Sequence, residues 1–268
     1  SRRTPPPRCP TPSPWRSRLL FRSLLLAFSL TVALVLGLGV TACGGDSEAS
    51  STTPSSEHKI TVAGDSISVG LGSQLRDVVA GGGDKGVVVK VIGEPGTGLA
   101  RPDSFDWPKR IEQLARDHPP QVLVFSVGSN DAQDLTDSNG KVVATMAQHD
   151  QWDAEYRRRL AEVFDAFAPT GGDGGSGGRG SGSGGTKVVW VGHVRTAEDR
   201  VADTNRRVHA LAAEVAADRP WVVVKDLTDL LGTGEQTATR CLAEDGLHLI
   251  PACLREADEQ LLGDLGRA

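Results

Sequence analysis

The sequence predicts a three-layer α/β/α sandwich built on a five-stranded parallel sheet. Two observations carry this. Short runs of almost wholly apolar, often β-branched residues alternate with segments of helical periodicity. Strands buried on both faces read as continuous apolar runs, and alternation with helices marks a parallel sheet. Four short motifs rich in Gly, Asp, Ser and Asn also fall in the loops after such runs, where ligands sit in open α/β sheets.

Lys59–Ala63 is the first predicted strand. Ser68–Ala80 places Val69, Leu71, Leu75, Val78 and Val79 at helical spacing, and Gly81-Gly82-Gly83 ends the helix. Val87–Ile92 is a β-branched second strand. Lys109–Asp117 is a short helix that stops before Pro119-Pro120. Val122–Val127, Lys187–Val191 and Trp221–Lys225 are the remaining strands, with helices over Gln151–Phe167, Asp199–Ala217 and Leu254–Leu265. The Gly/Ser-rich stretch 171–185 reads as a flexible insertion. It lacks the Gly-Lys-Ser/Thr ending of a phosphate loop and precedes a strand instead of following one.

The folded domain is expected to occupy 59–268. Before it, Arg16, Arg18 and Arg22 precede an uncharged apolar run from Leu24 to Ala42, the pattern of an export signal. Small residues leading into Cys43 at the end of that run resemble a bacterial lipobox. The resemblance implies cleavage before Cys43 and lipidation of its thiol, with 1–43 as signal segment and lipobox. A retained membrane helix is the alternative, because the run nearly reaches the ~20 residues needed to span a bilayer. Residues 44–58 are polar and small and read as a tether. Both readings place the domain outside the cytoplasmic membrane, held to it at its N-terminal end.

Net charge is −5 with the two signs interspersed, and no basic stripe carries aromatics. Nucleic acid is therefore not an expected partner. No cofactor is expected, and no metal, since no His/Cys spacing of a zinc site is present. A monomer is expected. Cys241 and Cys253 remain after Cys9 and Cys43 are assigned to the leader and the lipid site. In an exported domain an even pair is read as a disulfide, which would clip the segment between them; two buried thiols are the alternative.

Four motifs carry the candidate chemistry. Gly64-Asp65-Ser66 follows the first strand and opens a helix, where free N–H groups favour an anion; a simple N-cap is the plain alternative. Gly93-Glu94-Pro95-Gly96-Thr97-Gly98 follows the second strand and offers a glycine N–H, or is a surface turn. Gly128-Ser129-Asn130-Asp131 follows the third, and the Asn130 amide suits an oxyanion, or the segment is an ordinary turn. Asp245-Gly246-Leu247-His248 precedes the last helix, with Asp and His close enough for the carboxylate to orient the imidazole. The other five histidines read as packing. Asp65 and Arg101 are candidate substrate contacts; an Arg101–Asp103 surface ion pair is the alternative for the latter. Trp107 is either a stacking platform or core.

In combination, Gly-Asp-Ser, Gly, Gly-x-Asn-Asp and Asp-x-x-His resemble the sequence blocks of the SGNH/GDSL hydrolases, from Lys59 to about the C-terminus. Thr97–Trp107 further resembles an actinobacterial and proteobacterial subgroup of that family without an assigned substrate. The resemblance implies the flavodoxin-like SGNH hydrolase fold and a serine esterase. Ser66 is then the nucleophile, His248 the base and Asp245 its partner. The oxyanion hole is Ser66 N–H, Gly98 N–H (with Gly96 the other candidate) and the Asn130 side chain. The substrate is a small-molecule or glycan ester, O-acetyl groups of envelope glycans included. Aromatic content of 4% argues against a long sugar-stacking groove. An acyltransferase with the same triad, or a non-catalytic envelope-binding lipoprotein, are the alternatives.

Overall fold

The structure, a computed structural model, describes residues 58–83, 86–169, 185–232 and 240–265. The export segment, Cys43 and the tether up to residue 57 lie outside the described residues, as does the Gly/Ser-rich insertion except Gly185. Among the described residues no helix is long and apolar enough to cross a membrane.

Strands β1 (His58–Gly64), β2 (Val87–Gly93), β3 (Val122–Ser126), β6 (Lys187–Gly192) and β7 (Val222–Asp226) form one sheet in the order β2-β1-β3-β6-β7. Every pairing in it is parallel. Without the small hairpin that interrupts the chain, this is the 2-1-3-4-5 order of flavodoxin-like sheets. The alternation of each strand sends side chains to two cores. Ala63, Leu123, Phe125, Val188 and Trp190 face α2 (Trp107–Asp117), α3 (His149–Asp165) and α4 (Asp199–Ala216). Ile60, Val62, Val122, Val124, Val189 and Val191 face α1 (Ser66–Gly81) and the last helix, α6 (Pro251–Leu265). That is the expected three-layer sandwich.

Helices α1 and α2 begin two residues before the expected starts, and the reason is capping. Asp65 accepts from Ile67 N–H at 2.9 Å and Asp106 from Lys109 N–H at 3.0 Å, so each carboxylate seeds a turn ahead of the apolar periodicity. Three elements were not expected: a 3-10 turn over Ser129–Asp131, an antiparallel pair β4 (Leu135–Thr136) and β5 (Val142–Ala144), and the short helix α5 (Leu227–Leu230). All are too brief to show a period. Trp107 is core: fully buried, it packs on Phe105 and Phe125 and donates from Nε1 to Thr97 Oγ1 at 2.9 Å.

Candidate active site

Ser66 is the first residue of α1, directly after β1 and the capping Asp65. Its Oγ lies 2.8 Å from His248 Nε2, although 182 positions separate the two. His248 Nδ1 lies 2.6 Å from Asp245 Oδ2. The other oxygen, Asp245 Oδ1, accepts the N–H groups of Leu247 and His248, each at 2.9 Å. The His248 side-chain bond, then these backbone bonds, hold the Asp245 carboxyl well below the usual carboxylate range. An ionised carboxylate therefore faces Nδ1, which makes Nδ1 the donor and leaves the Nε2 lone pair for Ser66.

The turn that carries this pair is locally built. Ala243 N–H donates to His248 O at 2.7 Å, Ile250 N–H to Cys241 O at 2.8 Å, and Leu242 bridges Leu249. The disulfide Cys241–Cys253 closes the segment, with Cα atoms 5.6 Å apart. Gly246 sits at φ +68°, a conformation that L side chains rarely adopt, and its carbonyl accepts Ala197 N–H at 2.8 Å.

Asn130 lies in the 3-10 turn after β3. Its Nδ2 donates to Thr97 O at 3.0 Å and to Asp65 Oδ2 at 3.2 Å. Gly98, next to Thr97, is buried against the Asp131 carboxylate, and a Cβ there would collide with Asp131 Oδ1. Gly96 is exposed in the preceding turn, with open space where its Cβ would stand. Among the described residues, neither Ser66 N–H nor Gly98 N–H is taken by a protein acceptor. Three donors thus gather beside Ser66 Oγ's loop: two free amides and the Asn130 carboxamide.

Asp65 does not face a substrate, contrary to the expectation. It is fully buried, and its carboxyl is committed to Ile67 N–H and the Asn130 amide. Burial outweighs those bonds and pushes its pKa up to about 7. Arg101 is held by its neighbour: Nε and Nη2 donate to Asp103 at 2.8 and 2.6 Å, the surface ion pair. Asp103 in turn accepts Thr136 Oγ1 at 2.5 Å.

Several residues that support the site were given no role of their own by the sequence. Asp131 accepts Ala100 N–H at 2.6 Å and Tyr156 O–H at 2.8 Å, fixing the Gly98 loop. Arg159, also buried on α3, donates to Leu99 O at 2.6 Å and Thr136 O at 2.6 Å. His193, read as packing, joins Ser126 (2.9 Å) and Ser129 (2.7 Å) behind Asp65, and burial pushes its pKa down to about 4. At 3.8 Å from Asp65 it therefore makes no charge pair.

A family model described as "Protein of unknown function (DUF459)" matches residues 59–259. The fold is similar to that of the lipase/acylhydrolase from Enterococcus faecalis, with TM-score 0.56 and 21% identity over 78% of this chain and 96% of that one. It is also similar to a member of the lipolytic G-D-S-L family from Veillonella parvula (TM-score 0.53, 17% identity, 78% and 99% covered). A family 3 carbohydrate esterase of Clostridium thermocellum gives TM-score 0.51 at 14% identity, with 79% and 98% covered. The shared architecture is that of the SGNH/GDSL hydrolases. No curated protein sequence matches the chain.

Proposed function

Because the chain belongs to the DUF459 family and has the SGNH hydrolase fold, we propose that it hydrolyses carboxylic esters with Ser66, His248 and Asp245. The observation that carries this is the unbroken file Ser66 Oγ, His248, Asp245, with links of 2.8 and 2.6 Å. Both lie within the ~2.6–3.2 Å reach of a general base.

In this mechanism His248 Nε2 takes the Ser66 proton as Oγ attacks the ester carbonyl. The oxyanion is held by the N–H groups of Ser66 and Gly98 and by Asn130, which must turn an amide proton away from Asp65 or Thr97. The new Nε2–H then passes to the leaving alcohol oxygen, the C–O bond breaks and an acyl-Ser66 ester remains. Water, deprotonated by His248, attacks that ester; the acyl–Oγ bond breaks, the carboxylic acid departs and His248 returns the proton to Ser66 Oγ. Asp245 holds the tautomer throughout.

The finer reading is an extracytoplasmic lipoprotein, anchored through Cys43, acting on short acyl groups such as O-acetyl groups of envelope glycans. The disulfide supports an oxidising compartment. The carbohydrate esterase of similar fold supports a glycan ester.

The test is hydrolysis of p-nitrophenyl acetate and butyrate by the full chain beside Ser66→Ala. The expected outcome is loss of at least about 10³-fold in turnover in the variant. Equal, near-background rates in both proteins would instead favour an acyltransferase with a strict acceptor, or a binding module. Radiolabelled fatty-acid incorporation that is lost in Cys43→Ser tests the anchor.

A further inference from the structure

His193 directly follows β6, and its buried ring lies between the end of β3 and the turn that carries Asn130. We propose that His193 is a positioning residue of the oxyanion hole: it holds the backbone of the Ser129–Asp131 turn so that the Asn130 carboxamide stays aimed at the reacting oxygen. The proposal rests on the ester-hydrolase reading above.

The hydrogen bonds fix the tautomer of the ring. Ser129 N–H donates to Nδ1 at 3.3 Å, so Nδ1 carries the lone pair. The Ser129 hydroxyl meets the same nitrogen at 2.7 Å. Nε2–H then donates to Ser126 Oγ at 2.9 Å, and Ser126 gives its own proton to Val191 O at 2.9 Å. One ring nitrogen therefore grips the turn and the other grips the sheet. Burial keeps the imidazole neutral, with its pKa pushed down to about 4, so this pattern holds through the neutral range. The sheet end it grips also seats the nucleophile loop, because Ser126 O accepts Asp65 N–H at 3.1 Å.

The turn is shaped to receive the ring. Gly128 has φ +151°, and a Cβ there would stand 3.4 Å from Asn205 Oδ1 and 3.9 Å from His193 Nδ1. Within the turn Asp131 N–H closes on Gly128 O at 2.8 Å, which leaves the Ser129 N–H for the imidazole. That peptide immediately precedes Asn130. On the other side of Asn130, Gln133 Nε2 donates to its carbonyl. The Asn130 backbone is thus held from both directions, by His193 before it and Gln133 after it. Asn205 Nδ2 also reaches Ser129, but at Oγ (3.2 Å) and not at the peptide.

Removing the imidazole leaves the Ser129 N–H buried without its acceptor. An unmatched buried donor is costly, and rotation of the peptide relieves the cost. Any such rotation moves the Asn130 carboxamide with it. A donor misplaced by about 1 Å can cost up to about 10²-fold in rate. The effect falls on kcat, because the oxyanion forms only as the reaction proceeds.

The experiment measures kcat and KM on p-nitrophenyl acetate for the full chain, His193→Ala, Asn130→Ala and the double variant, with a thermal melt of each. His193→Ala is expected to lower kcat by about tenfold or more while KM stays within about twofold. In the Asn130→Ala background the same change is expected to lower kcat by less than about twofold, because a donor that is absent cannot be mispositioned. A merely structural role would give the same factor in both backgrounds. His193→Asn, whose Oδ1 can stand near the place of Nδ1 and accept the Ser129 N–H, is expected to recover more of the kcat than His193→Gln, whose amide extends toward Ser126. If His193→Ala does not fold, His193→Gln takes its place in the cycle. Equal losses in both backgrounds, equal rates for the Asn and Gln variants, or an unchanged kcat in His193→Ala each overturn the positioning role and leave the hydrolase reading standing. No Ser66-dependent hydrolysis by the unaltered chain overturns both.

Discussion

Both amide protons of Asn130 are taken in the resting site, one by a buried carboxyl and one by a carbonyl. Asp65 is thus a positioning group: it starts α1 under Ser66 and steers the Asn130 carboxamide. Asn130→Ala is expected to lower kcat by about 10²–10³ while KM changes much less, because the donor acts on charge that develops only in the transition state. Steady-state rates on p-nitrophenyl acetate measure the split. Gly98→Ala is expected to lower kcat as well, since the added methyl and the Asp131 carboxylate cannot share one space. The hydrogen-bonded file of Ser66, His248 and Asp245 was legible because its parts are local: Asp245 and His248 lie three positions apart, and Ser66 stands at a strand-to-helix turn. The burial of Asp65, and the service of Asp131, Tyr156 and Arg159, were not. Those roles depend on partners 23 to 65 positions away, which no local pattern encodes.

The segment from Cys241 through α6 supplies the His248–Asp245 pair and packs with α1 on one sheet face. Replacing both Cys241 and Cys253 by serine is expected to reduce stability by about 2–4 kcal/mol, the usual effect of opening a short loop. Denaturant melts with and without reductant measure it. On α6 itself, Asp258 is fully buried and neither oxygen has a partner among the described residues. Desolvation pushes its pKa up to about 8 from 3.8. Between those values the native state keeps a proton that the unfolded chain has released, so this group's contribution to stability falls as pH rises through the window. Asp258→Asn is expected to flatten that slope in melts taken from pH 5 to 8. The five strands were legible from their apolar runs, and helix starts from periodicity to within a few residues. The caps shifted those starts, and the β4–β5 pair escaped because two- and three-residue strands have no measurable alternation.

Among the described residues three buried carboxyls titrate high: Asp65 at about 7, Asp131 at about 6 and Asp258 at about 8. Each makes stability fall as pH rises from near 4 to its own pKa. His193, kept neutral down to about 4, works the other way between there and its ordinary 6.5, but as one group against three. Asp103 and Asp245 are depressed and lose their contribution only below the ordinary carboxylate pKa. The sum predicts greatest stability at a pH near 4, falling toward pH 8. A series of thermal melts across that range decides it; a maximum above pH 7 would contradict the assignment of these buried acids. The placement of Ser66 and His248 near opposite ends of the folded region has a further effect on the timing of activity. A ribosome delivers Ser66 first and His248 nearly last. In the proposed mechanism a chain stopped between residues 226 and 248 contains Ser66 and all five strands of the sheet, yet lacks the imidazole that deprotonates Ser66. On that mechanism reactivity arrives in one step with the C-terminal helix, and a half-made molecule is chemically silent toward whatever esters surround it.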